Sequence, residues 1–225
     1  LSVHYQAARQ AGGDYFDFFQ QSEDRLGILL TDVSGHGAAA ALLMGMTRVL
    51  ARGCCRSGTP GDCLRRLNNV LRPHIPRAKF VTACYVLLDI PSGTLKFADA
   101  AHPPPLYRSG VDNRVIHTTL TPRTPCGVVE DEQYPEQQFE MVSGSVVLLY
   151  TDGLTEARNN QGEQFSRLRV ARALEELPED VTAEQVIDAV LAARRRFTGP
   201  GQQEDDTTLV ALVREREPHE AEGED

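Results

Sequence analysis

Tryptophan is absent and aromatic residues make up 6% of the 225 positions, so the chain lacks the stacking platforms with which proteins hold unpaired bases. Positive charge is in deficit too. Against 32 aspartates and glutamates stand 23 lysines and arginines, giving a formal charge of −9 and a pI near 5.2. That balance argues against a nucleic-acid or anionic-membrane surface. No apolar run approaches membrane-spanning length, and no basic-then-apolar leader opens the chain. The cysteines (Cys54, Cys55, Cys63, Cys84, Cys126) are odd in number and show no CxxC spacing, which argues against a disulfide framework or a structural zinc site. They read as reduced, mostly buried thiols of a cytoplasmic protein.

What is present suits one substantial core: 41% of the residues are hydrophobic, at a length better matched to one domain than two. Leu1 stands where a methionine would start a gene product, and LSVHYQAARQ already alternates like a strand. Both features predict a domain cut from a longer protein. Residues 1–214 read as that domain; residues 215–225 (EREPHEAEGED) are charged, lack an apolar stripe and read as a disordered tail.

Strand-like and helix-like blocks follow one another without internal repeats. Tyr15 to Phe19 and Leu26 to Val33 flank a polar turn and predict a hairpin with a buried second strand. Ala38 to Arg52 predicts a helix with Leu42, Met46 and Val49 on its buried stripe. Thr59-Pro60 reads as an N-cap and first turn, opening a second helix through Leu64, Leu67 and Leu71 that pairs with the first. VTACYVLLDI, PSGT and LKFADAA predict another hairpin, and Arg108 to Val115 a turn between short strands. SVVLLYT (Ser145 to Thr151) suits a central strand, Arg167 to Leu174 and Ala183 to Phe197 suit helices, and Thr207 to Arg214 a last strand. Strands grouped with paired helices predict an α+β fold of two mainly antiparallel sheets covered by helices.

Four places put an aspartate at the edge of an apolar run, beside glycine or a second acid: Asp14 in GGDYFD, Asp32 in TDVSGHG, Asp152 in YTDGLTE, and Asp205 with Asp206 in EDDTTLV. Carboxylates at strand ends can converge above a sheet, where oxygen ligands suit hard cations such as magnesium or manganese. Neighbouring glycines let backbone approach. Taken singly, each stretch is equally an ordinary turn signal, and Asp32 could be an N-cap for the following helix. The set of four is what points to a metal site.

In this order and spacing, GGDYFDFF, DVSGHGAAAALLMG, AAHPPPLYR, LLYTDGLTEARN and DDTTLVALVR resemble the SpoIIE and RsbU type of bacterial serine phosphatase, within the metal-dependent protein phosphatase 2C superfamily. The resemblance runs from about Val3 to Arg214. It implies a four-layer α-β-β-α sandwich and a centre of two divalent cations, Mn2+ or Mg2+. Carried over motif by motif, Asp32 would bridge both ions and the backbone carbonyl of Val33 would serve the second, which Asp14 completes. Asp152 and Asp205 would hold the first, with Asp206 the less favoured of the adjacent pair. Asp32 and Asp152 would thus be catalytic through a water whose pKa the ions lower and which they aim at phosphorus. His36 is either a proton donor near the ions or a histidine bonded to backbone. Arg9 is either a phosphate contact or a solvated strand-end residue. His102, in AAHPPPL, reads as structural or as a support of the ligands. Relatives usually carry glycine where this chain has Ala101.

The same resemblance implies a phosphorylated protein substrate, of the anti-sigma-factor antagonist kind, and an upstream sensor, receiver or dimerising segment. Neither nucleic acid nor membrane is expected as a partner. Two other readings share parts of this pattern. A non-catalytic binding module of the same fold should have lost some carboxylates; another divalent-metal phosphoesterase, such as a nuclease, should show a basic groove. A cysteine-nucleophile phosphatase is disfavoured, because none of the five cysteines sits in a phosphate-cradling loop followed by arginine.

Overall fold

Alternation along the strands sorts apolar residues onto two faces at once. In β3 (Arg25–Val33), Ile28 and Leu30 face one way and Leu29 and Val33 the other, and all four are buried. The same holds in β9 (Val146–Tyr150), where Val147 and Leu149 oppose Val146, Leu148 and Tyr150. A strand apolar on both faces has to be covered on both, which requires four layers.

The computed structural model describes residues 1–8, 12–35, 37–76, 78–116, 123–200 and 203–216. One sheet has the order β1 (Ser2–Gln6), β10 (Thr207–Val213), β9, β6 (Leu106–Arg108), β7 (Val115–Ile116). The other has the order β2 (Tyr15–Ser22), β3, β4 (Val81–Asp89), β5 (Thr94–Ala100), β8 (Gln137–Glu140). Every neighbouring pair is antiparallel. Between the sheets lie Ile28, Leu30, Val86, Phe97, Val147, Leu149, Val210 and Leu212. Helices α1 (Ala38–Cys54) and α2 (Pro60–Leu71) cover the outer face of the second sheet. Helices α4 (Ser166–Glu175) and α5 (Ala183–Thr198) cover the first. The result is the α-β-β-α sandwich, with β9 and the hairpins where the sequence puts them. Among the described residues, no helix is long and apolar enough to cross a membrane, and all five cysteines are free and buried.

Helix starts follow their local chemistry. The Thr59 hydroxyl accepts the Asp62 N–H with Pro60 in the first turn, and Thr182 with Gln185 forms a reciprocal capping box at α5. Helix α1 has Gly37 at its N-cap and no side-chain cap, so Asp32, inside β3, does not serve there.

Two expectations are corrected, and one strand is added. The buried stripe of α1 is Ala40, Leu43, Thr47, Ala51 and Cys54, while Leu42 and Val49 are 78% and 72% exposed. Small residues at Ala40 and Ala51 bring the helix close to the sheet, and hydrophobicity alone picked the wrong stripe. Strand β8 was not foreseen because its residues are mostly polar; Phe139 anchors it, stacked on Tyr107 at 4.7 Å and Phe97 at 5.4 Å between ring centroids. Helix α3 (Asp152–Thr155) begins at Asp152, where a bare turn was expected.

The AAHPPPL segment shows what the alanine does. Ala101 has φ 56°, in the left-handed region that glycine occupies freely. His102 behind it is buried, with Nδ1 2.9 Å from the Thr82 hydroxyl, and burial pushes its pKa down to about 3 against a backbone interaction with Tyr150. It is therefore a neutral structural residue beside β4. Ala101→Gly should relieve about 1 kcal/mol of backbone strain, raising the melting temperature by about 2–4 °C. Scanning calorimetry checks this; an unchanged or lower melting temperature would mean the alanine sits there without strain.

Candidate metal centre

In an antiparallel pair, the end of one strand and the start of the next share an edge. Asp14 immediately precedes β2 and Asp32 is the penultimate residue of β3, so both stand at one edge of the second sheet. Asp152 lies two residues past β9 and Asp205 two residues before β10, at one edge of the first sheet. The facing sheets bring these two edges together. Two bonds show the join directly: the Thr151 and Thr208 hydroxyls, on the first sheet's side, donate to Asp14 Oδ2 at 2.8 and 2.6 Å.

The electrostatics confirm the crowding. Burial pushes the Asp32 carboxyl up to about 8, with the charges of Asp152, Asp14, Asp205 and Asp206 adding to it. Asp14 is raised to about 7, mainly by burial; the two threonine bonds oppose this, and Asp206 and Asp152 reinforce it. Asp152 is raised to about 6 by burial, then by Asp205 and Glu156. Carboxyls from four separate stretches of chain thus feel one another across both sheets.

Room for a ligand is built into the backbone. A Cβ on Gly13 would lie 2.9 Å from the Val33 carbonyl oxygen and 3.3 Å from Asp32 Oδ1, so any side chain there would crowd both. A Cβ on Gly153 would collide with the Asp206 carbonyl oxygen at 1.9 Å. That glycine therefore permits close packing of α3 on the start of β10, an approach of backbone of the kind the neighbouring glycines predict.

The two adjacent acids separate cleanly. Asp205 is exposed and accepts the Asp206 N–H at 2.9 Å. Asp206 is buried, and its two oxygens accept the N–H groups of Ala8 at 2.8 Å and Gly13 at 2.7 Å. It clamps the segment that presents Asp14. Sequence reasoning missed this clamp and the roles of Thr151 and Thr208, although all three lie inside the YTDG and DDTT motifs. Arg9 and His36 lie outside the described residues.

The donor set fits hard divalent cations: clustered carboxylates, a backbone carbonyl beside a bare glycine, and like-charge repulsion that only positive charge relieves. Among the described residues, no three His, Cys, Asp or Glu side chains are already gathered around one ion-sized point. Carboxylates that repel one another have no cause to close unaided.

Residues 22–215 match the family Stage II sporulation protein E (SpoIIE). The chain is 29% identical over 156 residues to the phosphoserine phosphatase RsbU of Bacillus subtilis, covering 69% of this chain and 46% of that protein. It spans less than half the length of the curated relatives it matches. Among solved structures, it resembles the RsbU and RsbW domains of Rv1364c from Mycobacterium tuberculosis (TM-score 0.76, 29% identity, 95% of this chain and 59% of that one). It shares its fold with the SiaA-PP2C domain of Pseudomonas aeruginosa (TM-score 0.80, 22% identity, 94% and 84%).

The raised carboxyls make the metal-free fold sensitive to pH in a definite direction. Asp14 and Asp32 hold their protons in the folded state well above the ordinary carboxyl value of 3.8. The stability they contribute is complete below that value and is lost as pH rises through about 7 and 8. His102, whose folded pKa is depressed, acts oppositely, but only below 6.5. With chelator present, the melting temperature should therefore fall between about pH 6.5 and 8.5, and Asp32→Asn should flatten that fall. A wild-type melting temperature level across this window would show that burial and neighbouring charge do not hold these carboxyls above their ordinary value.

Proposed function

This chain belongs to the SpoIIE family, and from that premise we propose that it is a metal-dependent protein serine/threonine phosphatase acting on a phosphorylated regulatory protein of the anti-sigma-factor antagonist kind. The observation that carries the reading is the bonding of Thr151 and Thr208, from the motifs that hold Asp152 and Asp205, to Asp14 at the strand end beside Asp32, where burial and neighbouring acids raise the Asp14, Asp32 and Asp152 carboxyls. Asp32, Asp14 and the Val33 carbonyl would hold one of two divalent cations, and Asp32, Asp152 and Asp205 the other. Bound there, Mn2+ or Mg2+ supplies Lewis-acid charge and lowers the pKa of water.

The chain's own part is positioning. Thr151 and Thr208 aim the Asp14 carboxylate, and Asp206 holds its backbone. Gly13 keeps the Val33 carbonyl accessible. Packing behind β9 fixes Asp152, since Val146 to Tyr150 are all buried. Hydrolysis needs no nucleophilic side chain in this scheme; the cysteines are buried, and burial raises the Cys84 and Cys126 thiols, the latter to about 12.

Support for a phosphoserine substrate comes from the similarity to RsbU, named a phosphoserine phosphatase. Support for partner switching comes from the solved relative that carries RsbU and RsbW domains together. We place the reaction in the cytoplasm, under control of a sensor, receiver or dimerising segment elsewhere in the full-length protein.

Asp152→Asn conserves volume and removes one ligand charge. It should lower manganese-dependent turnover of a phosphoserine protein at least about a hundredfold, while the metal-free melting temperature stays level or rises. Near-normal turnover would remove Asp152 from the centre. Asp32→Ala should abolish both manganese binding by calorimetry and hydrolysis, with helical content retained; unaltered manganese affinity would defeat its bridging role. Manganese-dependent nicking of DNA by the wild type would favour the nuclease reading instead.

A further inference from the structure

A cleft of about 830 Å³ begins at the carboxylate centre, where Gly153 and Asp205 line it, and runs along α5 past Arg194, Arg195 and Thr198. Arg158, in the segment after α3, lines it as well. The stretch of α5 from Leu191 to Thr198 is about 10 Å long at 1.5 Å per residue, which roughly three residues of extended peptide would cover. A phosphorylated side chain seated at the centre would therefore have its chain neighbours in this cleft.

Charge in the cleft is sorted except at Arg158, which shares a segment with Glu156. Its acids, Glu156, Glu204 and Asp205, lie in the segments that supply Asp152 and Asp205 to the centre. Its cations on α5 are uncommitted. Among the described residues, neither the Arg194 nor the Arg195 side chain makes an ion pair, and Arg194 Nε is buried without a hydrogen-bond partner. Burial, and then the charge of Arg195, works against the Arg194 guanidinium. His4 on β1 adds no relief: burial and the same two arginines hold it below its ordinary value, and its Nε2 is also buried without a partner. The Arg194 and Arg195 guanidinium groups thus reach the cleft without an acidic partner among the described residues, and guanidinium forks suit carboxylates in pairs of parallel bonds.

We propose that Arg194 and Arg195, with Arg158, form a docking subsite for acidic residues flanking the phosphorylated serine or threonine of the substrate. The proposal rests on the phosphatase reading above and narrows its substrate class to phosphosites with aspartate or glutamate neighbours. The surface of a chain with net charge −9 repels such segments at long range, so the arginines give local selectivity where general attraction is lacking.

The test compares two phosphoserine peptides, one flanked on both sides by aspartates and one by alanines, with a small aryl phosphate, all in manganese. The wild type should favour the aspartate-flanked peptide by about tenfold in kcat/KM at low salt, and the preference should shrink at high salt as charge is screened. Arg194→Gln/Arg195→Gln should lose the preference, chiefly through KM, while aryl phosphate turnover stays within about twofold of wild type. Arg195→Glu, at an exposed position that folding tolerates, should reverse the preference. Equal kcat/KM for the two peptides in the wild type overturns the subsite, as does an undiminished preference in folded variants. No manganese-dependent turnover of any of the three substrates would overturn the phosphatase reading itself, and the subsite with it.

Discussion

Like-charge repulsion among buried carboxyls is the constraint around which the molecule is arranged. Asp14, Asp32 and Asp152 are each raised first by burial and then by neighbouring acids, Asp206 and Asp152 for Asp14, Asp152 and Asp14 for Asp32, Asp205 and Glu156 for Asp152, so their convergence opposes folding of the metal-free chain, and something else has to impose it. That force is apolar burial on both faces of β3, β9 and β10, each strand contributing to an outer layer and to the layer between the sheets. Antiparallel pairing then fixes which ends coincide. The acids approach one another because the strands that carry them are held in place by burial of both apolar faces.

Much of this was readable because the strands are apolar and the acids sit at their ends. Hairpins, the central strand β9 and the capped helices α2 and α5 all carry local signals that tertiary packing did not overrule. The failures share a cause: they depend on what lies across from a residue. On α1, the sheet accepts Ala40 and Ala51 and leaves Leu42 and Val49 in solvent, a choice that hydrophobicity along the helix does not contain. β8 exists because Tyr107 and Phe97 offer Phe139 a stacking surface. Asp205 and Asp206 are identical in type and adjacent in sequence, yet Asp206 alone meets the Ala8 and Gly13 amides.

The carboxylate set was legible in the same limited sense. Asp14, Asp32, Asp152 and Asp205 stand at strand ends on the joined edges of the two sheets, without three of them closing on one ion-sized point. The supporting groups were not identified, although Thr151 and Thr208 stand next to the acids already singled out. Threonine before a strand-end aspartate or within a strand is too common to signal anything alone. Only the partner atom, an aspartate more than a hundred residues away in the chain, gives the hydroxyl its meaning.

That supporting network has a direction. The Thr208 N–H donates to the Thr151 hydroxyl oxygen at 3.0 Å, which leaves the single Thr151 O–H free to donate to Asp14 Oδ2. Thr208 donates its own O–H to the same oxygen. Two hydroxyl protons therefore fall on one carboxylate oxygen, and the other oxygen, Oδ1, takes neither. Hydroxyl donors stabilise the ionised form without contributing a full charge, so they hold Asp14 in orientation while leaving its electrostatic debt to its neighbours unpaid. A lysine or arginine in place of either threonine would settle that debt internally and remove the attraction for a cation. The choice of neutral donors keeps the centre organised while leaving its carboxyls free to give up their protons to an incoming divalent ion.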